Sequence, residues 1–319
     1  MPPSAIAVLL AVYEPREDWL ARLLDSLNAQ SLLPACLYVC DDASPHFPKE
    51  RLEELLQEHI TAFPYVLLQN EENQGSTATF ATLVQRAKEP YVAFCDQDDV
   101  WLRDKLKDSL ALLQSSPLRP TLVFGNACVI DGQGRPLAER IEQLRPRHRL
   151  QRGYGLAEVL IRRNFVMGCT VLIERQRALS YLPFPRELVH DHYLAFRASL
   201  DGALDFLDAP QLLYRIHGEN QTGTLAGVES RADYVRLRIR AFCERVRVLS
   251  SYTEGSAIED ALAFGKARLA HAKGERGGAR RLLRLWRYDP AVTAFELVAL
   301  HLPSPLFRLL IRAVAKRRP

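Results

Sequence analysis

The stretch of the chain richest in reactive groups is Asp96-Gln97-Asp98-Asp99, which follows the apolar run Tyr91–Cys95 and precedes Val100-Trp101. Two carboxylates one residue apart suit a hard divalent cation. Oxygen donors select Mg2+ or Mn2+ over softer metals, and such an ion keeps positions for water or phosphate oxygens. Acidic residues at a strand end also cap helices or stand solvated, and Asp99 is read that way. A purely structural role for all three would concentrate repulsion without an obvious partner, which favours a cation for Asp96 and Asp98.

Other polar groups recur at the ends of apolar runs. Asp41-Asp42-Ala43-Ser44 follows Leu37–Cys40. A carboxylate there accepts hydrogen bonds from a nucleobase N–H or a ribose hydroxyl, and the same four residues are good turn chemistry; the two readings stand level. Asn73-Gln74-Gly75 opens a helical stretch, where glycine and free N–H groups admit a nucleotide or form a plain turn. Arg215 and His217 lie in Tyr214-Arg215-Ile216-His217-Gly218-Glu219-Asn220. Guanidinium pairs with diphosphate, and imidazole completes a metal shell or binds phosphate; the alternative is a loop of solvated charges. His217 is the stronger of these candidates, ahead of Arg215 and Asn220. Trp101, an aromatic at a helix start, is read as core before it is read as a stacking surface.

These groups need a scaffold, and the hydrophobic pattern supplies one. Ile6–Val12, Leu37–Cys40, Tyr65–Gln69, Tyr91–Cys95 and Leu122–Val129 are β-rich runs. Between them, 19–30, 51–59 and 76–87 have helical spacing, as Leu20, Leu23, Leu24 and Leu27 show. This alternation predicts an α/β fold, a Rossmann-like and mostly parallel sheet flanked by helices. Ligands bind such sheets beyond the carboxyl ends of the strands, where Tyr13-Glu14 and the acidic groups fall. Residues 131–157 lose apolar periodicity and are expected to form a loop or lid. Regular structure is expected again over 156–161 and the apolar run Phe165–Ile173. A helix follows from about His190, then strand-like 204–207 and 211–215, and helix over 229–271. The organisation expected is a domain over 1–225 and a helical C-terminal region over 226–319.

The 319 residues carry 42 Lys and Arg against 38 Asp and Glu, a net +4. From Gly265 onward there are 13 basic and three acidic residues, a net +10, so the remainder is −6. Bulky apolar residues interleave with Arg in 283–287 and 305–319, and Arg308, Arg312 and Lys316 share one helical face. Such a helix can lie on an anionic membrane surface with Trp286, Leu306, Phe307, Leu310 and Ile311 inserted, or pack in a bundle with a solvated basic face. No nucleic-acid recognition motif accompanies the charge, so nucleic acid is not expected as a partner. The six cysteines are dispersed without a Cys-x-x-Cys pair and suit a reducing compartment. With no signal-peptide pattern and no long apolar run, the expected location is cytoplasmic, peripheral to the inner face of the membrane.

The order AVYEPREDWLARLLDSLNAQ, DDAS, NEENQGSTATF, YVAFCDQDDVWLRDKL, VHDHYLA and YRIHGENQTG resembles glycosyltransferase family 2, and within it the bacterial rhamnosyltransferase-like branch, over roughly residues 5–225. The resemblance implies a GT-A fold and inverting, metal-assisted transfer from a nucleoside diphosphate sugar to a polysaccharide or lipid-linked glycan, with rhamnose or a related deoxyhexose as the sugar. It places Ala11, Tyr13 and Glu14 along the nucleotide site, Asp42 on the nucleoside, and Gly75 at the closing edge of that pocket. Asp96 and Asp98 become the metal element, Asp98 the direct ligand, and Asp191 the catalytic base. Where the family carries Glu/Asp-Asp this chain has His190-Asp191, and His190 is read as orienting Asp191 or capping the helix. Two other readings remain: a sugar nucleotidyltransferase, against which AVYEPRE lacks a Gly-rich basic loop, and a non-catalytic nucleotide-sugar-binding scaffold.

Overall fold

The computed structural model describes residues 5–145, 148–217, 225 and 227–316. The chain separates into two compact units, Met1–His217 and Gly218–Pro319.

In the first unit a nine-stranded sheet has the order β3-β2-β1-β4-β8-β6-β9-β5, with β7 paired to β6. Its strands are β1 (Ile6–Val12), β2 (Cys36–Asp41), β3 (Tyr65–Gln69), β4 (Tyr91–Cys95), β5 (Val100–Trp101), β6 (Leu122–Ile130), β7 (Pro136–Ala138), β8 (Leu172–Glu174) and β9 (Leu204–Arg215). β3, β2, β1 and β4 are mutually parallel. Helices cover both faces of such strands, which explains why β1 and β2 are almost continuously apolar and buried. The helices of this unit are α1 (Glu17–Asn28), α2 (Lys49–His59), α3 (Ser76–Arg86), α4 (Lys105–Ser115), α5 (Ile141–Leu144), α6 (Ala157–Arg162), α7 (Arg175–Ser180) and α8 (His190–Asp201). α1 buries Trp19, Leu20, Leu23, Leu24 and Leu27, one stripe at helical spacing, and its first turn carries Glu17 and Asp18, which suit the positive end of the helix dipole.

The far half of the sheet departs from simple alternation. β8 runs antiparallel to both β4 and β6, while β6 and β9 are parallel. The apolar run 165–173 is not one strand. Asn164 brackets Val166 with hydrogen bonds to its N–H and C=O, and Thr170 Oγ1 donates to the Met167 carbonyl at 2.7 Å, so a 3-10 turn over Gly168–Thr170 precedes the short β8. Conversely, the separate runs 204–207 and 211–215 join into one strand, β9, through register irregularities opposite Asn126. Within 131–157 lie β7, α5 and a bridge from Gly153 to Leu204, so this segment returns to the sheet.

The second unit is helical: α9 (Arg231–Tyr234), a π-helical turn (Val235–Arg240), α10 (Ala241–Leu249), α11 (Ser256–Ala272), α12 (Gly278–Arg284), α13 (Pro290–Ala299) and α14 (Ser304–Lys316). The single helical stretch expected over 229–271 is interrupted between α10 and α11, where Gly255 takes φ 112°. Its core contains Tyr234, Ile239, Phe307 and Ile311. Phe307 and Ile311 therefore do not form a membrane-inserting face; the outward side of α14 instead presents Leu306 and Leu309, 51% and 65% exposed, beside Arg308 and Arg312.

Candidate active site

The pairing of β5 with β9 assembles the centre of the site. Val100 lies opposite Leu213 and Trp101 opposite Leu212, so the residues just before β5 meet those at the end of β9. Asp98 Oδ2 and His217 Nε2 come within 2.6 Å, with side chains 18% and 16% exposed. Trp19 from α1 packs on the imidazole, its ring centroid 4.7 Å away. An imidazole nitrogen and a carboxylate oxygen converging at an accessible point, with Asp96 in the same loop, fit a divalent cation of the Mg2+ or Mn2+ type. Asn220 lies outside the described residues.

Arg215 corrects an expectation. It is 1% exposed, its backbone N–H donates to Asp99 Oδ1 at 3.0 Å, and its Nε donates to the Asp98 carbonyl at 2.8 Å. Nη1 reaches the Asp131 carbonyl at 3.2 Å, and the guanidinium sits over Trp19. The side chain holds the turn from beneath rather than offering a fork to a diphosphate. Trp101 is core, buried with the Lys105 ammonium over its ring.

Asp99 turns inward. Asp96, Asp99 and Cys169 each bring a ligand-type atom to within 4.8 Å of the others. Asp99 and Cys169 are buried, Asp96 is half-buried like Asp98 and His217, and the buried Lys105 charge acts on Asp99 and Cys169. The Lys105 ammonium faces the buried side of this cluster, and Asp98 and His217 with Asp96 are the residues that could hold a cation on its accessible side. Burial, then the negative charges of Asp98 and Asp191, push Asp96 up to about 7. Gly168, whose N–H Asp191 accepts, precedes Cys169, whose thiol lies within 4.8 Å of ligand atoms of Asp96 and Asp99, so the first turn of α8 lies beside the acidic loop.

Burial also pushes Asp191 up to about 6, against N–H groups of His192 and Gly168 and the side chain of Asn164, which favour its charged form. The Gly168 N–H donates to Asp191 Oδ2 at 3.2 Å. A side chain at Gly168 has no room: a Cβ there would stand 2.8 Å from His190 Nε2 and 3.2 Å from the Asp191 Cβ. His190 makes no hydrogen bond to Asp191 and does not cap α8. Its ring packs between Phe80 and Phe94, at 4.2 and 5.3 Å, neither ring nitrogen has a hydrogen-bond partner, and burial pushes its pKa down to about 3.

The remaining candidates line the ends of β1 and β2. Ala11 is half-buried on β1 opposite Cys40. Tyr13 is 44% exposed, and its backbone is held by Gln97. Glu14 takes φ 44°, donates its N–H to Ser44 Oγ at 2.8 Å, and accepts from the N–H of His46, which with the adjacent imidazole holds its carboxyl below the usual range. Asp42 is buried, with its oxygens accepting from Asn70 Nδ2 and from the N–H groups of Gln74 and Gly75 at 2.6, 2.9 and 2.8 Å. That carboxylate shapes the 70–75 loop. Gly75, at φ 82°, begins α3 in open space, which leaves its backbone approachable. Sequence reasoning missed Gln97, Ser44, His46, Gly168 and Asn164; Gln97 stood inside the acidic motif, but its long neutral side chain carried no signal of its own.

Residues 7–175 match the family described as glycosyl transferase family 2. The chain belongs to this family. Uncharacterized proteins of Mycobacterium tuberculosis are 26% identical over 211 residues, covering 66% of this chain and 58% of their own length. The dTDP-rhamnosyl transferase RfbG of Shigella flexneri is 24% identical over 238 residues, covering 69% of this chain and 75% of its own. Among solved structures, residues 1–349 of Staphylococcus aureus TarS with UDP-GlcNAc superimpose at TM-score 0.59 and 16% identity, covering 98% of this chain and 90% of that one. The mannosyltransferase PcManGT of Pyrobaculum calidifontis, with GDP-Man and Mn2+, gives TM-score 0.57 at 15% identity, covering 98% and 85%. The sheet and its flanking helices have the GT-A fold. Among the described residues no helix is long and apolar enough to cross a membrane.

Proposed function

We propose that this family 2 chain transfers a sugar from a nucleoside diphosphate sugar to a hydroxyl acceptor with inversion at the anomeric carbon. The observation that carries the reading is the Asp98–His217 pair at the carboxyl end of the sheet, with Asp191 held on Gly168 next to Cys169, whose thiol lies within 4.8 Å of the Asp96 and Asp99 carboxylates. Asp98 and His217, with Asp96 beside them, would hold a divalent cation, which when bound supplies positive charge for the departing diphosphate. Asp191 accepts the acceptor hydroxyl proton as that oxygen attacks the anomeric carbon. The bond to the diphosphate oxygen breaks on the opposite side, and nucleoside diphosphate leaves. A carboxyl near 6 is ionised at neutral pH yet remains basic enough to take a proton. Similarity to a dTDP-rhamnosyl transferase supports a deoxyhexose donor.

The second unit favours an acceptor at a lipid surface. Leu283 and Trp286 are exposed among Arg280, Arg281, Arg284 and Arg287, and α14 offers Leu306 and Leu309 beside Arg308 and Arg312. Leu306→Glu with Leu309→Glu should abolish flotation with anionic vesicles, whereas unchanged flotation would remove α14 from the contact.

The deciding experiment supplies dTDP-, UDP- and GDP-sugars with Mn2+, Mg2+ or EDTA and an acceptor panel, and scores nucleoside diphosphate release. Metal- and acceptor-dependent release supports the proposal. Pyrophosphate release from a nucleoside triphosphate and a sugar phosphate would replace it with nucleotidyl transfer.

A further inference from the structure

Gln97 separates the two carboxylates of the acidic loop, yet its own side chain is committed elsewhere. Its Oε1 accepts the Tyr13 N–H at 2.8 Å, and its Nε2 donates to the Tyr13 carbonyl at 2.9 Å. The carboxamide thus pairs with both polar groups of one backbone residue, as a neighbouring strand would. β1 and β4 pair through Leu10 and Cys95, and the side chain of Gln97 continues the link beyond the last backbone pair. On its other flank the same segment is fixed by side chains too: Ser44 Oγ takes the Glu14 N–H, and the Glu14 carboxylate takes the N–H of His46. Glu14 at φ 44° and Ala43 at φ 58° are left-handed non-glycine residues that persist only where surroundings hold them.

We infer that Gln97 is a positioning residue that locks the acidic loop and the Tyr13-Glu14 loop into one unit, so that the exposed Tyr13 is set in place for the nucleoside before the donor arrives. The inference rests on the glycosyl-transfer reading above and adds to it the residue that makes the nucleotide end of the pocket preformed. A loop already ordered loses less entropy on binding, so the effect falls on donor affinity and not on the chemical step. Gln97→Met keeps the length of the side chain and removes both hydrogen bonds, whereas Gln97→Ala removes the packing as well. Neither removes a carboxylate or the imidazole.

The test measures dissociation constants for UDP, dTDP and GDP by calorimetry, in EDTA and in Mn2+, alongside Mn2+ affinity of the protein alone and steady-state kinetics of the full chain. For the nucleotide that wild type prefers, both variants should bind roughly 5- to 50-fold more weakly in either condition, the scale of two lost neutral hydrogen bonds. The donor KM should rise by a similar factor, with kcat at saturation and Mn2+ affinity within about twofold, as expected when binding shared equally by the ground and transition states is lost. A melting temperature within a few degrees of wild type in Gln97→Met, the scale of two lost hydrogen bonds, separates positioning from loss of the fold. Nucleotide affinity equal to wild type in both variants would overturn the inference while leaving sugar transfer standing. A parallel fall in kcat without a change in KM would overturn it as well. Failure of wild type to bind any of the three nucleotides would overturn the transfer reading and this inference together.

Discussion

Asp191→Asn should make the protein inactive and, at alkaline pH, more stable. Desolvation raises the Asp191 carboxyl from an ordinary 3.8 to about 6 in the folded chain. The folded state therefore holds this proton more tightly than the unfolded state does. The cost falls on the ionised form: it is fully present above about pH 7 and vanishes below about pH 4. At about 1.4 kcal/mol per pH unit, the shift corresponds to roughly 3 kcal/mol. Asparagine removes that charge but can no longer accept well from both the Gly168 and His192 N–H groups, which returns about 1 kcal/mol. The net expectation is a stabilisation of about 1–2 kcal/mol at pH 8, shrinking towards zero or reversing near pH 4.5.

Urea unfolding in EDTA at pH 8, 6 and 4.5 measures this difference. The three tryptophans are Trp19 and Trp101 in the sheet unit and Trp286 in the helical unit, so a Trp286→Phe background makes fluorescence report on the unit that contains Asp191. In the same background, turnover of Asp191→Asn should fall by about 10²–10⁴, the range for loss of a general base. The wild-type kcat/KM should lose about a decade per unit below an apparent pKa near 6. A variant less stable than wild type at pH 8, or a stability difference that ignores pH, would refute the desolvation argument. Activity that stays flat down to pH 5 would refute Asp191 as the base.

Three further outcomes follow from particular contacts. His217→Ala removes the imidazole 2.6 Å from Asp98 and should weaken Mn2+ binding by about 10- to 100-fold in calorimetry or electron paramagnetic resonance; unchanged affinity would place the cation elsewhere. Gly168→Ala sets a Cβ 2.8 Å from His190 Nε2 and should lower kcat about tenfold or more at unchanged nucleotide affinity, with partial recovery when His190 is also replaced by Ser. Arg268→Met strands the fully buried Glu296, which now accepts from the guanidinium at 2.6 Å and from Tyr234 at 3.0 Å, and should cost about 3–5 kcal/mol by chemical denaturation, while Arg268→Met with Glu296→Leu should cost less.

Three of the first four strands were legible because parallel strands buried on both faces must be apolar almost throughout, and β1, β2 and β4 are, while the half-exposed β3 was legible from its short β-rich run. Their carboxyl ends then had to carry the ligand chemistry, which is why the acidic loops were found before any side-chain geometry. What escaped was direction. Asp98 and Asp99 are adjacent and chemically identical, yet one meets His217 at the surface while the other turns under it to receive the Arg215 N–H. His190 and Asp191 diverge in the same way: one helical step of about 100° sends the imidazole between Phe80 and Phe94 and the carboxylate to Gly168. No local property of either dipeptide specifies its orientation, because the deciding partners are more than a hundred residues away for Asp99 and about a hundred for His190. The inward member of each pair supports the outward one. Asp99 and Arg215 fix the turn that aims Asp98, and the close packing of His190 against Gly168 sets the N–H that Asp191 accepts. Substitutions at Asp99 or His190 should therefore impair the site through position, leaving the reacting groups present but misplaced.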